Sequence, residues 1–241
     1  MTPPPAHRPQ SAPLQAPLVP QASHRLRVRP KPIAMRVSVV VPCAAKHVAV
    51  LPELLRHLAL QTSPPDEVVL SVSGCDALAK AATAYPGLDV KVTLLTAPAF
   101  AGANRNRGCD ASVGQVIVFQ DADDLPHPQR IEILRRMFER CEVDHVMHTF
   151  SRHKVDPQRF DVDAALRLAF YRFPYAKDAK LTNGNIAVSR TAAKAMRFNE
   201  RMARGQDSAF NQAICPLFRQ TTVLLKLPLI LYRQNLSTYR R

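Results

Sequence analysis

Apolar β-branched residues fill positions 37–41 (Val-Ser-Val-Val-Val), directly before Pro42. A short apolar run closed by proline predicts a buried parallel strand that ends there. Leu51, Leu54, Leu55 and Leu58 recur at i, i+3, i+4 and i+7, which marks one face of a helix. A second strand is predicted over residues 67–72, with Gly74 as the turn after it. Asp76 is placed to cap a short alanine-rich helix running to Ala84, and Pro86 with Gly87 ends it. Residues 90–95 and 116–119 supply two more strands, separated by a polar segment from Gly102 to Gly114. Ile131, Leu134 and Phe138 mark a further amphipathic helix, entered through Pro126 and Pro128. His145 and His148 fall on another strand, where structural roles suit them better than ligation, and residues 186–188 form one more. Strands and helices alternating at these lengths predict an α/β fold: a mostly parallel, doubly wound sheet flanked by helices, in a single domain.

Composition changes this picture at the amino-terminal end. Nine of the 21 prolines lie between Pro3 and Pro32, mixed with Ala, Gln and Ser. Such a segment neither pairs in a ladder nor buries a core, so residues 1–34 are expected to be a disordered, basic, polyproline-like tail and residues 35–241 the folded domain. The formal charge is +14, and no acidic residue precedes Glu53, whereas Arg8, Arg25, Arg27, Arg29, Lys31 and Arg36 all do. That surplus favours anionic partners without choosing among nucleotides, nucleic acid and membrane surface. The five cysteines are scattered and form no C-x-x-C pair, which argues against a zinc ribbon or redox dithiol. Residues 222–232 are apolar but broken by Lys226 and Pro228, too short to span a bilayer, and the start of the chain has no secretory h-region. The expected location is cytoplasmic, with peripheral membrane association as the alternative.

The chemistry concentrates behind the 116–119 strand, where Gln120 is followed by Asp121, Ala122, Asp123 and Asp124. Ligands of open α/β sheets bind beyond the carboxyl ends of the strands. Asp121 and Asp123, two apart in extended chain, project to the same side and repel one another unless a cation lies between them. Hard carboxylate oxygens suit Mg²⁺ or Mn²⁺. Asp124, next to Leu-Pro, serves equally well as a helix-capping turn residue.

This segment resembles the Asp-x-Asp signature of GT-A glycosyltransferases, in particular glycosyltransferase family two. The likeness extends upstream: Arg105, Asn106, Gly108, Gly114, Asp121, Asp123 and Asp124 stand in register with the family's "G-x-x-x-A-R-N-x-G" and "D-a-D-D" runs, and Asn104 replaces the usual alanine. The resemblance implies that Asp121 faces the nucleotide ribose and that Asp123, with Asp121, holds a divalent cation (Mn²⁺ or Mg²⁺) on the donor diphosphate. Arg105 would lie near the nucleotide, or pair with a nearby carboxylate. Pro42 and Ser73, after the first two strands, are further donor-binding candidates.

Downstream, Phe198 and the Gly205-Gln206-Asp207 sequence look like the family's "F-d-e" and "G-E-D" elements. Gln206 replaces the glutamate, so Asp207 alone would act as catalytic base; a helix N-cap explains the same residues locally. Residues 232–237 are similar to a "Y-R-x-H-x-x-S" tract in which Arg233 would contact pyrophosphate and Asn235 takes the histidine position. Relatives carry "D-D-G-S" after the second strand, where this chain has Ser73, Gly74 and Cys75. The implied reaction is inverting transfer of a hexose-like sugar from a nucleoside diphosphate donor, a UDP-sugar first, to an acceptor hydroxyl, with no nucleic acid partner. A nucleotidyltransferase would need a Gly-rich loop where Pro42 to Lys46 stand. A catalytically degenerate nucleotide- or partner-binding domain is the other alternative.

Overall fold

The computed structural model describes residues 26–75, 85–153, 159–167, 169–171 and 185–233. The helix expected between Asp76 and Ala84, and Asn235, lie outside the described residues. Chain order gives β1 (Val37–Ala44), a 3₁₀ turn (Ala45–Val50), α1 (Leu51–Ala59), β2 (Glu67–Ser73), β3 (Val90–Leu95) and α2 (Ala101–Ala111). There follow β4 (Val116–Phe119), β5 (Leu125–Pro126), α3 (Arg130–Arg140), β6 (His145–Ser151), α4 (Val162–Arg167) and β7 (Ala169–Tyr171). Last come β8 (Ile186–Ser189), α5 (Arg190–Ala195), α6 (Gln206–Leu217) and β9 (Thr222–Leu231).

Among the described residues nine strands form one sheet in the order β3-β2-β1-β4-β8-β6-β9-β5, with β7 also on β9. The half β3-β2-β1-β4 is parallel. β8 runs antiparallel to both β4 and β6, and β6 and β9 are parallel to each other, so β6 and β9 point the same way as the first four strands. The mostly parallel, doubly wound expectation is met, with β8 and the two short strands β5 and β7 as those that reverse.

Alternation along β1 feeds two cores. Val37, Val39 and Val41 face α1 and α3, meeting Leu54, Leu58, Ile131, Leu134 and Phe138. Val40 faces the other side with Ile117, Phe119, Phe198, Phe210 and Ile214. Buried aliphatic side chains of this kind each contribute roughly 1.5–3 kcal/mol, which is what holds two helical layers on the sheet.

Two local readings change. Pro42 does not end β1, which continues through it to Ala44. The Val40 carbonyl accepts from the Gln120 N–H, the last β4-side bond; two residues on, Pro42 faces the same side after β4 has left, so its missing N–H breaks no ladder. The polar segment from Gly102 is a helix, α2, whose buried face is Gly102, Asn104, Arg105, Asn106, Gly108 and Cys109. Its contact with the sheet is glycine-mediated: a Cβ at Gly108 would collide with Val40 Cγ1. In β9, Pro228 sits where the register with β6 shifts, the bulge position that tolerates proline.

Residues 26–34 run beside the carboxyl end of α3. The Arg29 and Ile33 N–H groups donate to the Arg140 and Glu139 carbonyls, and Arg29 Nε donates to the Cys141 carbonyl. Among the described residues no helix is long and apolar enough to cross a membrane.

Candidate active site

Strand order reverses at β1, between β2 and β4, the crevice where doubly wound sheets bind ligands. The carboxyl end of β4 opens there into the turn bearing Asp121, Asp123 and Asp124. The turn is held from beneath: Gln120 Nε2 donates to the carbonyls of Asp121 (2.9 Å) and Asp124 (3.1 Å). From above, the Arg233 N–H donates to Asp124 Oδ1 (2.9 Å) and Arg233 Nε to the Asp123 carbonyl (2.6 Å). Arg233 Nη1 also pairs with Glu53 at 2.5 Å, tying the end of β9 to the start of α1.

Arg105 is buried on α2 and bridges two parts of the crevice. Its Nη2 pairs with Asp121 Oδ1 at 2.5 Å, and its Nη1 donates to Gln206 Oε1 at 3.2 Å. The guanidinium also lies 5.4 Å over the Phe198 ring. Asn106 grips the Phe198 backbone from both sides, accepting its N–H and donating to its carbonyl, each at 2.9 Å. Gly102 lets this segment approach, since a Cβ there would meet the Asn199 carbonyl at 2.8 Å. Gln206 opens α6 behind Gly205, whose φ of 71° is the left-handed region suited to glycine. Asp207 follows in the first turn, where the helix dipole favours a carboxylate.

The electrostatics of the acidic turn are unusual. Burial, reinforced by Asp121, raises the Asp123 carboxyl to about 6. Burial and Asp121 also push Asp124 well above the carboxylate range. Asp124 Oδ2 is buried without a hydrogen-bond partner. Excess carboxylate oxygen of this kind fits a hard divalent cation. Among the described residues no three His, Cys, Asp or Glu side chains form a closed ligand group. An ion held by Asp121 and Asp123 would therefore complete its shell from a bound ligand, as cations carried on one or two carboxylates and substrate phosphates do.

Sequence reasoning missed several neighbours. Lys46, in the 3₁₀ turn after β1, interacts electrostatically with Asp123. Burial, then the Lys46 charge, lowers His47 to about 4 against the pull of Asp121, and its Nδ1 accepts the Ala44 N–H at 3.1 Å. Their position directly behind a strand of a doubly wound sheet was the signal available. Glu53, Gln120 and Arg130 were missed as well. Arg130 occupies the helix position four before Leu134, a charge on the apolar stripe, and that was its signal.

The sequence candidates divide. Asp121, Asp123, Arg105 and Arg233 converge on the turn, and Gln206 brings the start of α6 within one guanidinium of Asp121. Pro42 lies inside β1 against Ser71. Ser73 is buried at the end of β2; its hydroxyl accepts from Asn104 Nδ2 (2.9 Å) and donates to the Ala99 carbonyl (3.4 Å). Two of the departures from the family pattern, Ser73 and Asn104, thus touch each other. His145 and His148 are fully buried on β6, away from solvent. A depression lined by Asp110, Ile117, Arg190 and Arg197 opens near the amino end of β4 instead, away from the carboxylates.

Comparison with known proteins agrees with this geometry. The family model described as Glycosyl transferase family 2 matches residues 38–201. Among solved structures, the chain is similar to TarS 1-349 of S. aureus, at 18% identity and a TM-score of 0.61, over 83% of this chain and 60% of that one. It is also similar to TarS 1-349 in complex with UDP-GlcNAc (17%, TM-score 0.60, 86% and 62%). The mannosyltransferase PcManGT of Pyrobaculum calidifontis, in complex with GDP-Man and Mn²⁺, matches at 21% and 0.58, over 84% and 58%. The chain thus spans about 60% of the length of these proteins. No curated protein matches it. At these identities the solved structures speak for the fold, which is GT-A.

Proposed function

Because the chain belongs to glycosyl transferase family 2, we propose that it transfers a sugar from a nucleoside diphosphate donor to an acceptor hydroxyl, with inversion. Its nucleotide-sugar-bound structural neighbours support the donor class. The observation that carries the reading is the Arg105 bridge: one guanidinium joins Asp121 of the acidic turn to the residue before Asp207. A donor phosphate anchor and a proton acceptor in one crevice, on opposite sides of the anomeric carbon, are what a single displacement requires.

In this mechanism Asp121, oriented by Arg105, faces the ribose, and Asp123 with Asp121 would hold Mn²⁺ or Mg²⁺ for the donor diphosphate. When bound, the cation offsets negative charge growing on the leaving diphosphate. Arg233 and Lys46 add positive charge around the turn, which favours the same anion. Asp207 takes the proton of the acceptor hydroxyl as that oxygen attacks the anomeric carbon; a positioned base of this kind supplies about 10²–10⁴ in rate. Pro42 and Ser73 shape the floor beneath the nucleotide, Ser73 by fixing Asn104. UDP-sugars are the first donors to test. The domain occupies residues 35–241, with residues 1–34 as a basic extension whose last part, 26–34, is strapped to the end of α3, and works in the cytoplasm.

A second reading, nucleotide binding without transfer, draws on Gln206, which stands where the family's glutamate would and is held between Arg105 and the Met202 carbonyl. Incubation with a panel of UDP- and GDP-sugars and Mn²⁺, reading nucleoside diphosphate release, decides between them. Release that requires the cation supports transferase activity. Saturable nucleotide binding with no release from any donor sinks it.

A further inference from the structure

Arg130 is the largest fully buried side chain among the described residues, and it stands at the first position of α3, directly behind the acidic turn. Its three nitrogens all reach acceptors: Nη2 the Phe119 carbonyl (2.8 Å), Nη1 Gln120 Oε1 (2.9 Å) and Nε the His148 Nε2 (3.0 Å). His148 accepts there, so it is neutral with its proton on Nδ1, which donates to the Thr149 carbonyl at 2.9 Å. Burial and the Arg130 charge both hold His148 well below its ordinary range, which keeps that tautomer. The His148 carbonyl is itself fixed by Asn185 Nδ2 at 3.0 Å. On the other side, Gln120 has its amide locked by Arg130 so that Nε2 faces the turn and donates to the carbonyls of Asp121 and Asp124.

We propose that Arg130 and Gln120 form a positioning relay that sets the direction in which Asp121 and Asp123 present their carboxylates. Burying a guanidinium is costly, and replacing buried charge with apolar side chains is often neutral or stabilising, so stability alone is a poor reason to keep one. Here the fork geometry does what no apolar residue does: it fixes a backbone carbonyl and orients a side-chain amide in one plane. The residues it controls contact the ligand; Arg130 does not. The inference rests on the reading of the turn as the donor-diphosphate site.

The test compares wild type with Arg130→Met, Arg130→Lys and Gln120→Met. Melting is followed by circular dichroism, hydrogen exchange is read in the free protein, and UDP and GDP are titrated with Mn²⁺ by calorimetry. Arg130→Met is expected to accelerate exchange at the amides of residues 121–124 while β1 and β2 stay protected. It is also expected to weaken nucleotide binding at least about tenfold, the factor attached to losing one strong orienting hydrogen bond. Lysine keeps the charge but not the fork and falls between. If Arg130→Met does not fold, Gln120→Met removes the two anchors while leaving the guanidinium bonded to Phe119 and His148, and the same changes are expected. Folded variants with unchanged exchange in the turn overturn the relay. If wild type binds neither nucleotide, the donor-site reading falls, and the exchange result still decides whether Arg130 orders the turn.

Discussion

Asp123 and Asp207 carry the sharpest consequences at the scale of single residues. Asp123 ionises near 6, above the roughly 3.9 of a free aspartate, because burial and Asp121 oppose its charge. The native state therefore keeps a proton that the unfolded chain releases between about pH 4 and 6. This carboxyl favours folding increasingly as pH falls through that window, the reverse of a salt-bridged aspartate. Under the proposed function, cation-dependent nucleotide binding would run the other way, since it would need the carboxylate. Calorimetric affinity for UDP with Mn²⁺ is expected to fall about tenfold per unit once pH drops below about 6. Asp123→Asn is expected to be weak and flat over the same range; a variant that keeps wild-type affinity removes Asp123 from the cation site. Asp207→Asn is expected to bind donor normally and to lose transfer by about 10²–10⁴, which single-turnover assays with the active donor would measure. The aspartates were legible because three acids crowding a strand end form a local signal. Arg130, Glu53 and Gln120 were not, because their meaning lies in partners 18, 180 and 10 positions away.

At the scale of elements, periodicity found what packs by apolar stripe. β1, β2, β3, β4, α1 and α3 all stand where short apolar runs or the i, i+3, i+4 spacing put them. α2 escaped because its buried face is built of glycine and polar side chains, so nothing in its hydropathy repeats. Motif resemblance located Arg105 and Asn106, yet only the structure shows them pulling the 198–206 segment against the helix. Glycine marks where this packing is tightest. Gly108→Ala would drive a methyl into Val40, a β-branched side chain with little rotamer freedom. A loss of about 1–3 kcal/mol is expected, read as a lower urea midpoint at unchanged m-value. A wild-type midpoint would mean that α2 sits farther from β1 than described.

Across the whole molecule, composition placed the tail boundary near residue 34, but charge and proline content do not report a few backbone hydrogen bonds. Residues 26–34 satisfy carbonyls at the carboxyl end of α3, groups that a helix leaves open. A protein beginning at Leu26 is expected to melt with the full chain, whereas one beginning at Met35 is expected to lose about 1–3 kcal/mol. Matching thermal curves for the two truncations would show the strap to be dispensable. The parallel half of the sheet was readable from the sequence. The reversed strand β8 and the pairing of β9 with β6 were not, because strand order is settled by tertiary packing that no local pattern encodes.

The bond between Arg233 and Glu53 closes a loop of 180 positions. Its carboxylate is partly exposed, and contacts of that kind belong to the low-stability end of a fold, where local opening costs least. Nucleotide binding is then expected to be more fragile than foldedness: in a mild urea series, affinity for UDP is expected to fall before the circular dichroism signal does, and coincident loss of the two would show that this closure holds as firmly as the core.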